Sequence, residues 1–150
     1  MDEIFFKNMK SEKILIKSQK EMADFAAQIA NEAKIGDIIG LKGTLGAGKT
    51  FFAQHFVNAL SSEAQQVLSP SFNLVYSYNT KKGKIFHFDL YRLKNTEELE
   101  NIGFFDALQN GICLIEWPEV AINFLKKNYL EIEIKIATEK NEETREILCK

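Results

Sequence analysis

Residues 37–60 read Asp-Ile-Ile-Gly-Leu-Lys-Gly-Thr-Leu-Gly-Ala-Gly-Lys-Thr-Phe-Phe-Ala-Gln-His-Phe-Val-Asn-Ala-Leu, and three signals follow one another along them. The run Ile38-Ile39-Gly40-Leu41 is apolar without alternation, the pattern of a strand buried on both faces. Gly43-Thr44-Leu45-Gly46-Ala47-Gly48-Lys49-Thr50 then fits the phosphate-loop pattern G-x-x-x-x-G-K-[ST] at every position. Beyond it Phe52, Phe56, Val57 and Leu60 recur at helical spacing, so a helix runs from Thr50 to Leu60. Strand, glycine-rich loop and helix form one unit of an α/β fold. The reading is a P-loop NTPase fold: a mostly parallel central sheet flanked by helices, with antiparallel hairpins elsewhere.

Working outward, Lys13–Ser18 alternates as a short strand, and Ser18 with Glu21 matches a capping box that opens a helix carrying Met22, Phe25, Ile29 and Ala33 on its apolar face. Gly36 breaks that helix. Downstream, Phe72–Tyr78 and Lys84–Tyr91 are β-branched and aromatic runs on either side of Asn79-Thr80-Lys81-Lys82-Gly83, which predicts an antiparallel hairpin. Asn95 and Glu98 cap a short helix, Gly111 ends the helical segment after it, and Ile112–Glu116 is a second buried strand. Pro118 starts a helix to about Lys127. Ile132, Ile134 and Ile136 alternate with charged residues, and a turn at 140–143 leads into 144–149, which predicts a half-exposed hairpin at a sheet edge.

Length and composition set limits on what such a chain can do. At 150 residues it fits one domain, 1–150, and 45% hydrophobic residues with twelve Phe supply a core without disulfides or a structural metal, which excludes intrinsic disorder. Nineteen Lys and Arg against 21 Asp and Glu leave a net charge of −2, so no overall basic field holds nucleic acid. No apolar run approaches the ~18 residues of a membrane span, and the acidic opening lacks signal-peptide character, so the expectation is a cytoplasmic chain. Cys113 and Cys149, without CxxC spacing, read as reduced thiols.

The chemistry begins at the loop. Its glycines let successive N–H groups face phosphate oxygens at a helix N-terminus, Lys49 reaches the β and γ phosphates, and the Thr50 hydroxyl is placed for Mg²⁺. Glu116 ends the second buried strand, where ligands sit in open α/β sheets, and is the second metal-side carboxylate. Trp117 beside it is an optical reporter of the site. Period-2 geometry puts His87, Asp89 and Tyr91 on one face of their strand, so Asp89 is a candidate to hold Mg²⁺ through water or to position the attacking water, with His87 hydrogen-bonded to it. A self-satisfied polar cluster is the competing reading for both. Ser71 offers a hydroxyl to sense the γ phosphate. Arg92, one of only two arginines, follows the Asp89 strand and could meet phosphate or a partner's carboxylate. His55, mid-helix, reads as structural.

GTLGAGKT, SPSFNLVYSY, HFDLYRL, ELENIGFFDAL and ICLIEWPE together, in this order and spacing, resemble the TsaE (YjeE) family of bacterial ATPases in tRNA threonylcarbamoyladenosine biosynthesis, over about residues 10–140. One departure is Ser71, where the family usually has Thr in SPTF; the hydroxyl is kept. The resemblance implies an ATP-hydrolysing, Mg²⁺-dependent subunit that acts with two proteins, TsaB and TsaD, and resets their complex between turnovers while meeting tRNA indirectly at most. It also implies that Lys49, Thr50, Asp89, Glu116 and Trp117 are important positions. A stand-alone nucleoside or metabolite kinase is the alternative the phosphate loop alone permits, but two arginines are few for phosphoryl transfer to a second substrate. A GTPase-like switch is disfavoured because no Asn-Lys-x-Asp string occurs.

Overall fold

The computed structural model describes residues 8–125, 129–137 and 143–150. Seven strands, β1 (Lys13–Ile16), β2 (Ile38–Lys42), β3 (Val75–Thr80), β4 (Gly83–Asp89), β5 (Ile112–Glu116), β6 (Tyr129–Ile136) and β7 (Arg145–Cys149), form one sheet in the order β1-β7-β6-β2-β5-β4-β3. The central four, β6-β2-β5-β4, are parallel, and antiparallel pairs extend the sheet at both ends. The sheet is mixed, with the two continuous apolar runs, β2 and β5, adjacent at its parallel centre.

Because side chains alternate across a strand, the sheet divides its apolar residues between two layers. Ile39, Leu41, Ile85, Leu114 and Ile132 face α1 (Gln19–Glu32) and α2 (Lys49–Ala59), whose Phe25 and Phe52 rings meet at 5.9 Å. Ile38, Phe88, Cys113 and Ile115 face α3 (Glu97–Asn101), α4 (Phe104–Asn110) and a 3₁₀ helix (Pro118–Phe124), with Phe88 edge-on to Phe104 at 5.1 Å. Ser18 caps α1 by accepting from the Glu21 N–H, while Glu21 reaches back to the Lys17 N–H.

Several expectations need correction. The 6–7 hairpin is not at an edge: β6 pairs with β2 on one side and β7 on the other, and β1 covers β7. Residues 140–142 of its expected turn lie outside the described residues. The segment after Pro118 is a 3₁₀ helix with Ala121 off helical geometry, following Trp117 in the left-handed region at φ 59°; its expected end at Lys127 also lies outside the described residues. Phe72 is not in a strand, because 71–74 form a turn closed by the Leu74 N–H on the Pro70 carbonyl at 2.7 Å. The short helix and the helical segment after it are both present, as expected, with Gly103 at φ 73° separating α3 from α4. β4 ends at Asp89, so Leu90 and Tyr91 lie beyond it.

Candidate active site

The loop between β2 and α2 is built by close approach. A Cβ on Gly43 would stand 2.6 Å from the Ile134 carbonyl oxygen of β6, so only glycine lets the chain leave β2 this near its neighbour. Thr44 accepts from the Ala47 N–H, Leu45 projects to solvent at the tip, Gly46 takes φ 81°, and Gly48, at φ 114°, leads into α2. The buried Ala47 offers its carbonyl to Arg145 Nε on β7 at 2.9 Å. That tie spans 98 residues and has no local sequence signal.

Lys49 is the first residue of α2 and only 5% exposed. Its Nζ donates to the Gly43 carbonyl at 2.6 Å and lies 3.8 Å from the centre of the Trp117 ring, which in turn meets Tyr91 at 4.8 Å. Burial pulls the amine below its ordinary pKa, opposed by the charges of Glu116, Asp89 and Glu119.

Parallel pairing of β4 and β5 puts Asp89 opposite Glu116. Both carboxylates are buried at the strand ends. Thr50 Oγ1 lies 3.2 and 3.4 Å from the Glu116 carboxylate oxygens. Oε2, the oxygen that Thr50 approaches at 3.2 Å, also meets His87 Nε2 at 2.6 Å. His87 therefore does not bond Asp89, as the sequence suggested, but Glu116; the strand register, invisible in one strand alone, decides this. Asp89 accepts from Ser69 Oγ at 3.1 Å and from the Tyr91 N–H at 3.0 Å, and Ser71 joins through a 2.9 Å contact with Ser69. Ser69 was missed by the sequence reading. Arg92 rests on the Phe72 ring at 4.4 Å.

Lys49, Thr50, Ser69, Ser71, Asp89, Arg92, Glu116 and Trp117 thus all line one cavity of about 440 Å³. Thr50 and Glu116 supply the hard oxygen donors that suit Mg²⁺. Among the described residues no three His, Cys, Asp or Glu side chains gather as a self-sufficient metal site, so a cation here would also need phosphate oxygens. Trp117 separates this cavity from a second, about 550 Å³, bordered by Lys42, Gly43, Thr44, Glu119 and residues 133–136. No helix among the described residues is long and apolar enough to cross a membrane.

A phosphate loop between a central parallel strand and its helix, facing a carboxylate at the end of the adjacent strand, defines a P-loop NTPase fold. The family model "Threonylcarbamoyl adenosine biosynthesis protein TsaE" matches residues 16–147, and the chain belongs to the TsaE family. Among its relatives are proteins named tRNA threonylcarbamoyladenosine biosynthesis protein TsaE. That of Rickettsia prowazekii is 39% identical over 81% of this chain and 84% of its own length. That of Aquifex aeolicus is 39% identical over 71% and 76%, and that of Bacillus subtilis 35% identical over 79% and 73%. The crystal structure of Bacillus subtilis YdiB superposes with a TM-score of 0.69 at 32% identity, covering 91% of this chain and 82% of that one.

Proposed function

We propose that this chain is a Mg²⁺-dependent ATPase of tRNA threonylcarbamoyladenosine biosynthesis, hydrolysing ATP to ADP and phosphate to reset a transfer complex containing TsaB and TsaD. The observation that carries the reading is the convergence of Lys49, Thr50, Asp89 and Glu116 on one cavity at the phosphate loop. The loop amides and Lys49 bind the phosphates, and the second cavity beyond Gly43 and Thr44 takes the nucleoside. Thr50 and Glu116 would hold Mg²⁺, which when bound offsets charge on the β and γ oxygens. Asp89, held by Ser69 and the Tyr91 amide, faces the same cavity and orients the water that attacks the γ phosphorus. The P–O bond to ADP breaks as the water oxygen bonds to phosphorus, and the water proton leaves with the phosphate.

The test is phosphate release by the purified chain with Mg-ATP, beside ADP binding followed by Trp117 fluorescence. Lys49→Ala removes the buried cation, and lost charge-assisted bonds of ~1.5–3 kcal/mol correspond to roughly 10–100-fold weaker ADP binding, with hydrolysis reduced to background. A folded Lys49→Ala protein with unchanged ADP affinity would refute the assignment. Transfer of phosphate from ATP to a nucleoside or small alcohol in place of water would favour the kinase reading.

A further inference from the structure

His87 is fully buried, its Nε2 is 2.6 Å from Glu116 Oε2, and its Nδ1 has no hydrogen-bond partner. A histidine kept only to fill the core would pair both nitrogens or be replaced by an apolar residue, as Ile85 is two positions earlier on the same face of β4. The bond to a carboxylate is donated from Nε2, and Nδ1 lies buried opposite it. One nitrogen is thus committed to Glu116 and the other to nothing. Glu116 is itself buried, and its Thr50 contacts, at 3.2 and 3.4 Å, are longer than the His87 bond. Without the imidazole, this buried carboxylate would lose its tightest restraint.

We infer that His87 is the positioning residue for Glu116: its Nε2–H pins Oε2 from the sheet side and keeps the carboxylate turned toward Thr50. This rests on the nucleotide reading above and deepens it. The imidazole is buried and does not line the phosphate cavity, so its effect passes through Glu116, as outer partners of metal-side ligands act.

The test compares His87→Phe, His87→Gln and His87→Asn in the full chain. Calorimetry measures ADP affinity in EDTA and again with Mg²⁺, and steady-state assays give kcat and KM for ATP. His87→Phe should bind ADP in EDTA as the parent does, lose most of the affinity gained with Mg²⁺, and lose about 10–100-fold in kcat with KM little changed. His87→Gln brings an amide N–H to the place of Nε2 and should recover most of both properties. The shorter His87→Asn reaches only the place of Nδ1 and should behave like the Phe variant. If the Phe variant does not fold, the Gln and Asn pair decides. Equal losses in Gln and Asn, or parental behaviour in Phe, overturn the inference, since core filling would explain the first and irrelevance the second. A parent chain that binds no nucleotide brings down the ATPase reading before any variant is made, and the positioning role with it. If the parent binds but does not turn over, the Mg²⁺-dependent gain in affinity still decides the inference.

Discussion

Glu116 and Asp89 occupy matching ends of adjacent strands yet have different partners, and this separates their roles. Glu116 faces Thr50 and His87, whereas Asp89 accepts from a hydroxyl and a backbone amide. Glu116→Gln can still present its carbonyl to His87 and should lose both hydrolysis and the Mg²⁺-dependent part of ADP affinity. Asp89→Asn should lose hydrolysis while keeping the Mg²⁺ effect on binding; calorimetry beside phosphate release separates the two, and the reverse pattern would exchange the assignments. Both carboxylates were legible in the sequence, Glu116 because it closes a buried-strand run and Asp89 because alternation sets it on the polar face of its strand, but the His87 to Glu116 bond was not, since it depends on how two distant strands align. Lys49 is nearly completely buried, so its stem packs in the site while its amine is held between the Gly43 carbonyl and the Trp117 ring. Cys113 and Cys149 are both buried and unbridged. Burial raises Cys113 to about 12, and burial with the Glu12 charge raises Cys149 to about 11. Neither should react with iodoacetamide at pH 8 in the native chain, while both should after denaturation, as counted by mass spectrometry. The sign for stability follows: the unfolded thiols ionise near 9 and the folded ones do not, so their contribution is intact below pH 9 and is lost as pH rises toward 11 and 12.

At the scale of elements, the loop, β2 and β6 form one mechanical unit. Gly43→Ala would drive a Cβ against the Ile134 backbone carbonyl, which cannot swing aside as a side chain could. The variant should melt several degrees lower, about 1–3 kcal/mol less stable as overpacked sites are, and bind ADP more weakly because the loop is displaced. Gly46→Ala meets no atom within 4 Å and pays only for its φ of 81°, so it should lose less stability in the same thermal melt. A larger loss at Gly46 than at Gly43 would contradict this account. The apolar runs of β2 and β5 and the helical period of α2 were legible because each is a local property of the chain. The placing of β6 and β7 was not: alternation in 131–136 reports that one face is half-exposed, and says nothing about which strands hydrogen-bond along the two edges. The 3₁₀ helix after Pro118 escaped for a related reason, since proline signals where a helix begins but not how tightly it winds.

For the molecule as a whole, the question is what limits the rate. The phosphate cavity is lined on its exposed side by Leu45, 72% exposed, Tyr91 and Arg92, and Arg92 lies against the ring of Phe72, which is itself 81% exposed. Such exposed cation–π contacts are worth only ~0.5–1 kcal/mol, so a second protein seated on this rim could release Arg92 toward the phosphates at small cost. Phosphoryl transfer depends mainly on positioned charge, and Lys49 is already engaged by the Gly43 carbonyl and the Trp117 face. The isolated chain should therefore hydrolyse ATP slowly, and a complex of TsaB and TsaD should accelerate it. A transition-state arginine is worth ~10³–10⁵ in turnover in related chemistry, so even partial placement would stand well above the basal rate. Phosphate release is measured for the chain alone and with the complex, with Lys49→Ala to exclude contaminating ATPases. Arg92→Ala should retain slow basal hydrolysis and lose most of the stimulation, because its guanidinium contributes only once it has left Phe72. A fast isolated chain indifferent to the complex would sink the coupling, and full stimulation of Arg92→Ala would show that the activating cation comes from the partner.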